Sequence, residues 1–215
     1  MKVAALSKTY DGKHVLQTPE IELEKGLVYA VIGANGCGKS TFARIIAGTH
    51  KDDNGWRTPK DVKVGYMPQK NYAFGMSVIR NLTLVGSKTK AKELLNSFGI
   101  ADLADHNAAE LSGGETARMA MARLLMQNFD IIILDEPTAA MDVTAALQAE
   151  KVLMEYHKAT GCTVILVTHS LKQAQRLADK VMFLKDGNLV EFGDASLLDN
   201  PTKPETKEFL EFYSL

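Results

Sequence analysis

The sequence predicts an α/β fold, a parallel sheet flanked by helices, with an N-terminal antiparallel β portion and an inserted helical subdomain. Apolar strand-like runs at Leu27–Ile32, Ile131–Leu134, Thr163–Val167 and Val181–Leu184 form the first sign. Helical stretches at Thr41–Ala47, Val143–Lys158 and Leu171–Asp179 alternate with them, which implies parallel βαβ units and a doubly wound sheet. Between about residues 71 and 127 the β signal disappears and helical spacing takes over.

At the N-terminus, Val3–Leu6, His14–Gln17 and Ile21–Leu23 are short alternating stretches broken by Asp11-Gly12 and Pro19, the pattern of a small antiparallel sheet. Leu27–Ile32 is continuously apolar and ends in glycines, as a buried strand does. Gly48 is placed to stop the helix that follows. Val62–Tyr66 is a further strand closed by Pro68. Val78–Val85, Lys90–Phe98 and Glu115–Met126 are the helices of the insertion, about residues 71–127 within a domain spanning 1–215. The tail carries two prolines and then a charged helical stretch, Glu205–Phe212.

Composition narrows the class. The chain has 215 residues, 46% hydrophobic and 24% charged, enough to bury a sizeable core. A formal net charge of −1 gives no sign of a nucleic-acid or anionic-membrane binder. Cys37 and Cys162 lie far apart with no CxxC pair, which argues against a disulfide framework or zinc site and suits a reducing compartment. The N-terminus turns polar too soon for a signal peptide, and no apolar run approaches the roughly 20 residues of a membrane span. A soluble, cytoplasmic chain is expected; any membrane component belongs to other chains.

Gly33-Ala34-Asn35-Gly36-Cys37-Gly38-Lys39-Ser40 fits G-x-x-x-x-G-K-[ST] between a buried strand and a helix. Glycines let the backbone curl so that successive N–H groups face phosphate oxygens, and the helix N-terminus adds partial positive charge. Lys39 is expected to reach the β- and γ-phosphates and the Ser40 hydroxyl to ligate Mg²⁺. The bland alternative is a glycine-rich turn with a chance lysine, which average usage produces in on the order of one such chain in a hundred. Cys37 inside the loop reads as a small filler; the alternative is a thiol activated by the N–H groups and Lys39.

Ile131–Leu134 runs into Asp135 and Glu136. A central strand of this type opens at its carboxyl end into the ligand crevice. Asp135 is placed to hold the Mg²⁺ shell through water, and Glu136 to polarise the water that attacks the γ-phosphate. Thr163–Thr168 repeats the geometry and ends in His169, one βαβ crossover later, where an imidazole can bond the γ-phosphate or the attacking water. Leu111-Ser112-Gly113-Gly114-Glu115, before a helix, is a second candidate anion-binding N-terminus. Small proteins rarely build two unless both hold phosphate.

At this point the sequence resembles the ATP-binding-cassette (ABC) ATPases across nearly its whole length, and is similar to the ATP-binding subunits of bacterial importers. Leu111–Glu115 resembles the family signature, with Glu115 where glutamine is commoner. Tyr10 resembles the aromatic that stacks on adenine, and Gln69 the glutamine that joins Mg²⁺. Ala139-Ala140-Met141-Asp142 resembles the segment that communicates across the dimer, and His169 the switch histidine.

The resemblance implies a P-loop NTPase core and a Mg²⁺-dependent ATPase. ATP would be bound by Tyr10, Gly33, Ala34, Asn35, Gly36, Cys37, Gly38, Lys39, Ser40, Thr41 and Gln69. Mg²⁺ would fall to Ser40, Gln69 and Asp135, and catalysis to Glu136 and His169. Ser112, Gly113, Gly114, Glu115 and Asp142 would contact ATP held by a second ABC ATPase subunit, in a head-to-tail dimer, expected to be of identical chains. Transmembrane permease subunits are the implied further partners, with room for a substrate-binding protein and no role for nucleic acid. The chain would then sit on the inner face of the cell membrane.

The tail, Asn200-Pro201 to Phe209-Leu210, resembles those of importer subunits for oxyanions such as tungstate or phosphate, and for polar amino acids; it stops without an extra regulatory domain. A second reading is an ABC ATPase that drives a membrane complex mechanically, as in lipoprotein release or cell division. A third, a chromosome-maintenance or ribosome-associated relative, would need a coiled-coil insertion or a duplicated basic cassette, and the sequence has neither.

Overall fold

Ten strands and seven α-helices follow the hydrophobic pattern along residues 1–213, which are the residues described by the structure, a computed structural model. They fall into two compact units. One comprises Met1–Gly65, Asp130–Asp135 and the chain from Gly161 onward; the other comprises Tyr66–Phe129 and Glu136–Thr160.

The first unit begins with β1 (Lys2–Val3), β2 (Ser7–Tyr10), β3 (Lys13–Gln17) and β4 (Ile21–Glu22). β1 and β4 pair antiparallel as a separate two-stranded sheet, whereas β2 and β3 form a hairpin at the edge of the main sheet. The hairpin turns on Asp11 (φ 48°) and Gly12 (φ 76°), the left-handed pair that a two-residue turn requires. The expected strand Val3–Leu6 thus ends at Val3, and the next strand begins only at Ser7. The residues between them carry the chain between sheets, with the Leu6 carbonyl accepting from Thr18 N–H at 3.0 Å.

The main sheet adds β5 (Val28–Ile32), β6 (Val64–Met67), β7 (Ile131–Asp135), β8 (Thr163–Val167), β9 (Lys180–Lys185) and β10 (Asn188–Asp194). Its order is β2-β3-β10-β9-β5-β8-β7-β6. The β9-β5-β8-β7 centre is parallel, and every residue of β5, β7 and β8 is buried, as their unbroken apolar sequences require. β10 returns antiparallel to β9 through Asp186 (φ 49°) and Gly187 (φ 81°), a strand the sequence reading did not anticipate.

α1 (Lys39–Ile46) follows β5 and lies against β3, β7 and β8. Gly48 is left-handed (φ 71°) just beyond its end, where the helix stops as expected.

The second unit holds α2 (Val78–Thr83), α3 (Lys88–Ser97), α4 (Gly113–Leu124) and α5 (Val143–Thr160). α2, α3 and α4 pack on one another, and α5 packs on α4. In the first unit, α6 (Leu171–Leu177) and α7 (Pro204–Tyr213) cover one sheet face, where Leu171, Ala174, Phe209 and Leu210 meet Ile32, Val181 and Phe183.

Candidate functional site

In the first unit, the carboxyl ends of β5, β8 and β7 lie side by side: Val31 pairs with Val167, and Val167 with Asp135. Three of the expected positions are thereby brought to one sheet edge, namely the loop after β5, the loop after β8 with His169, and Asp135 itself. Such an edge is where α/β sheets hold ligands.

The loop Gly33–Ser40 is a cradle. Gly33 (φ 146°), Gly36 (φ 80°) and Gly38 (φ 105°) take backbone shapes that side chains resist. A Cβ on Gly33 would run into the Leu184 carbonyl oxygen, and one on Gly38 would lie 2.6 Å from that of Val15. The Gly187 N–H also donates to the Cys37 carbonyl at 3.1 Å, fastening the loop to the β9–β10 turn. Ala34, Asn35 and Gly36 form its exposed tip, while Cys37, Gly38 and Lys39 are buried. Leu184, Val15 and Gly187 are the members that sequence reasoning missed. Only Asp186-Gly187, a hairpin signal, hinted at any of them.

Lys39, the first residue of α1, folds back so that Nζ donates to the Gly33 and Ala34 carbonyls at 2.7 and 2.9 Å. Ser40 Oγ donates to Asp135 Oδ1 at 3.1 Å, and Asp135 is fully buried. This hydroxyl and carboxylate form a hard-oxygen donor pair of the kind Mg²⁺ prefers, so these two residues fit that ion. Thr41 follows, half-buried, in the first turn of α1. Burial pushes the Cys37 thiol above its ordinary range; nearby Lys39 pulls the other way and is outweighed. The burial and raised thiol pKa of Cys37 suit a packed filler better than an activated nucleophile.

Tyr10 ends β2 with 40% of its surface exposed. Its ring stands edge-on to His50, centroids 6.4 Å apart, with Lys8 Nζ 5.3 Å from its centre. His169 is exposed between β8 and the Ser170 cap of α6, in a bend where Ser170 N–H donates to Thr168 Oγ at 3.0 Å.

The second unit carries the remaining positions. Gln69 is exposed just after β6. Glu136 takes a left-handed backbone (φ 52°), unusual for glutamate, at the turn into Pro137. Asp142 caps α5, its Oδ1 accepting from Ala145 N–H at 2.9 Å. Ser112 caps α4 in a reciprocal box: Ser112 Oγ accepts from Glu115 N–H at 3.3 Å, while Glu115 Oε2 accepts from Ser112 N–H and Oγ–H at 2.8 and 2.7 Å. Those bonds to Ser112 hold the Glu115 carboxyl below its usual range, and Arg118 and His106 add to the effect. Ala140 and Met141 lie against Gly113 and Gly114.

Strand, glycine cradle and helix define the class as a P-loop fold. A family profile for ABC transporters matches residues 16–139. The phosphate import ATP-binding protein PstB 1 of Lactococcus lactis is 34% identical over 244 residues, covering 98% of this chain and 96% of that protein. The tungstate uptake system ATP-binding protein TupC of Peptoclostridium acidaminophilum is 34% identical over 207 residues, covering 88% of this chain and 96% of that protein. Among solved structures, a dimeric ATP-binding cassette in a post-hydrolysis state, bound to ADP and Pi, superposes with a TM-score of 0.81 at 25% identity, over 90% of this chain and 98% of that one. The chain belongs to the ABC transporter family. It is an ABC ATPase that resembles importer subunits, and no helix among its described residues is long and apolar enough to cross a membrane.

Proposed function

We propose that this chain is the subunit that binds and hydrolyses ATP with Mg²⁺ to power import of a small solute, working as a head-to-tail pair docked on membrane permease subunits. The observation that carries the reading is the Ser40–Asp135 contact at 3.1 Å, which joins the end of the glycine cradle to the acidic strand end. Lys39 exchanges its two carbonyl partners for β- and γ-phosphate oxygens, and Tyr10 stacks on adenine. Ser40 and Asp135, with Gln69, hold Mg²⁺, which when bound neutralises charge on the β- and γ-phosphates. Glu136 orients the attacking water, and His169 steadies charge on the transferring group. Ser112–Glu115 and Asp142 complete the site of a second copy, so that ATP joins two subunits and ADP releases them.

The helices between about 71 and 127 form the subdomain that receives the permease. A groove of about 410 Å³ there is lined by Tyr72, Phe74, Leu84, Val85 and Arg123 among others, with Tyr72 64% exposed. Arg123 donates to the Tyr72 carbonyl at 2.7 Å and lies over the Phe74 ring, fixing both aromatics on the rim. A short amphipathic helix of a permease suits such a groove. Import is supported by the names of the relatives, and an oxyanion solute by the phosphate and tungstate proteins among them; a separate substrate-binding protein then belongs to the assembly.

The test is phosphate release by the purified chain with ATP and Mg²⁺, against Lys39→Ala, which is expected to lose nucleotide binding while remaining folded by circular dichroism. Micromolar ATP affinity in that variant would move the phosphate site elsewhere. Affinity capture from membranes should then recover a polytopic permease; a membrane protein with a large ectodomain in its place would favour mechanical work without transport.

A further inference from the structure

The box that caps α4 uses the groups that the proposed partner contact needs. Ser112 has one hydroxyl proton, and it is given to Glu115 Oε2 at 2.7 Å; the Ser112 backbone N–H goes to the same oxygen at 2.8 Å. An anion thus already rests on the helix N-terminus where a phosphate would come to lie. We propose that Glu115 is a positioning residue whose carboxylate competes with the incoming γ-phosphate for the Ser112 donors, and so sets the ATP concentration at which two subunits pair. This rests on the reading that Ser112 contacts ATP across the pair.

The chemistry makes the competition specific to charge. Hydrogen bonds to a carboxylate are roughly twice as strong as neutral ones, so the donors leave Glu115 at a cost that a neutral acceptor would not impose. The carboxyl, held below its usual range, stays ionised at neutral pH and also repels the approaching phosphate. A glutamine at this position keeps the reciprocal cap, since both Glu and Gln close such a box. Charge can therefore be removed with the helix intact.

Pairing is to be measured by light scattering of the full chain against ATP, in a Glu136→Gln background that slows hydrolysis. Adding Glu115→Gln should lower the ATP midpoint by about tenfold, the equivalent of roughly 1.4 kcal/mol. Affinity for ADP, which lacks the γ-phosphate, should not move. In a chain also carrying Ser112→Ala the gain should shrink, because the contested hydroxyl is gone while the backbone N–H and the carboxylate charge remain. Glu115→Ala should shift the midpoint the same way while lowering the melting temperature, since it removes the return half of the capping box together with the charge. An unchanged or higher midpoint in a folded Glu115→Gln chain overturns the proposal, as does a gain that Ser112→Ala leaves undiminished. Were Ser112→Ala alone to leave pairing by ATP untouched, the underlying assignment of Ser112 would fail instead.

Discussion

Gly114 and Ala140 approach so closely that a Cβ on Gly114 would stand 2.8 Å from the Ala140 carbonyl oxygen. The start of α4 and the segment before α5 are therefore pressed together within one unit, backbone against Cα. Gly113 is different: its Cβ would meet Ala140 Cβ at 3.5 Å, an ordinary contact.

Gly114→Ala should consequently destabilise the chain by about 1–3 kcal/mol, the scale of overpacking a tight contact. Each kcal/mol corresponds to a drop in melting temperature of roughly 2–4 °C for a chain of this size. Gly113→Ala should melt within about a degree of the parent on the same scale. Differential scanning calorimetry of the two variants checks the contrast, and equal melting temperatures would contradict the packing.

Glu136→Gln should keep ATP binding and cut turnover by about 10²–10⁴-fold, the usual contribution of a positioned general base. Single-turnover hydrolysis with labelled ATP separates the two steps. Turnover at the parental rate would remove Glu136 from the chemistry and leave its left-handed backbone as a feature of the turn alone.

Tyr10→Ala should weaken ATP binding by roughly 1–3 kcal/mol, the scale of base–aromatic stacking. The ring is half in solvent, touched edge-on by His50 and approached by Lys8, so its removal leaves little cavity and stability should hardly change. Calorimetric titration of ATP checks this, and an unchanged affinity would make Tyr10 structural.

Cys37 should resist alkylation. Because burial raises its thiol pKa, the thiolate fraction at pH 8 is lower than that of a free cysteine, and the reactive form is scarcer still inside the packed loop. Mass spectrometry after iodoacetamide treatment at pH 8 should show modification at least about tenfold slower than for a small thiol. Modification at the free-thiol rate would restore the activated reading.

Much of the fold could be read in the sequence because its central strands are buried on both faces and so are apolar without interruption. Thr163–Val167 was expected as a strand over the range now observed. Edge elements were harder. β10 was missed although Asp186-Gly187 marks its hairpin, because Glu191 interrupts its apolar character. Glu191 is nevertheless buried, its Oε1 accepting from Thr202 N–H and Oγ–H at 2.8 and 2.7 Å, a tertiary arrangement that local pattern does not encode. The early end of the expected strand Val3–Leu6 was hidden for a similar reason, since Leu6 pairs instead with Thr18. At the site, residue types and order were legible, whereas the closeness of Leu184 and Val15 to the loop was not, because those contacts are made by backbone carbonyls that any sequence would supply.

That last point bears on what the glycines of the cradle are for. Gly33 and Gly38 are hemmed in by main-chain oxygens of β9 and β3, with no nucleotide involved. A descendant of this chain that abandoned its ligand altogether would still be obliged to retain both, or rebuild two strands. Persistence of the pattern among such descendants would then record the demands of architecture rather than of chemistry.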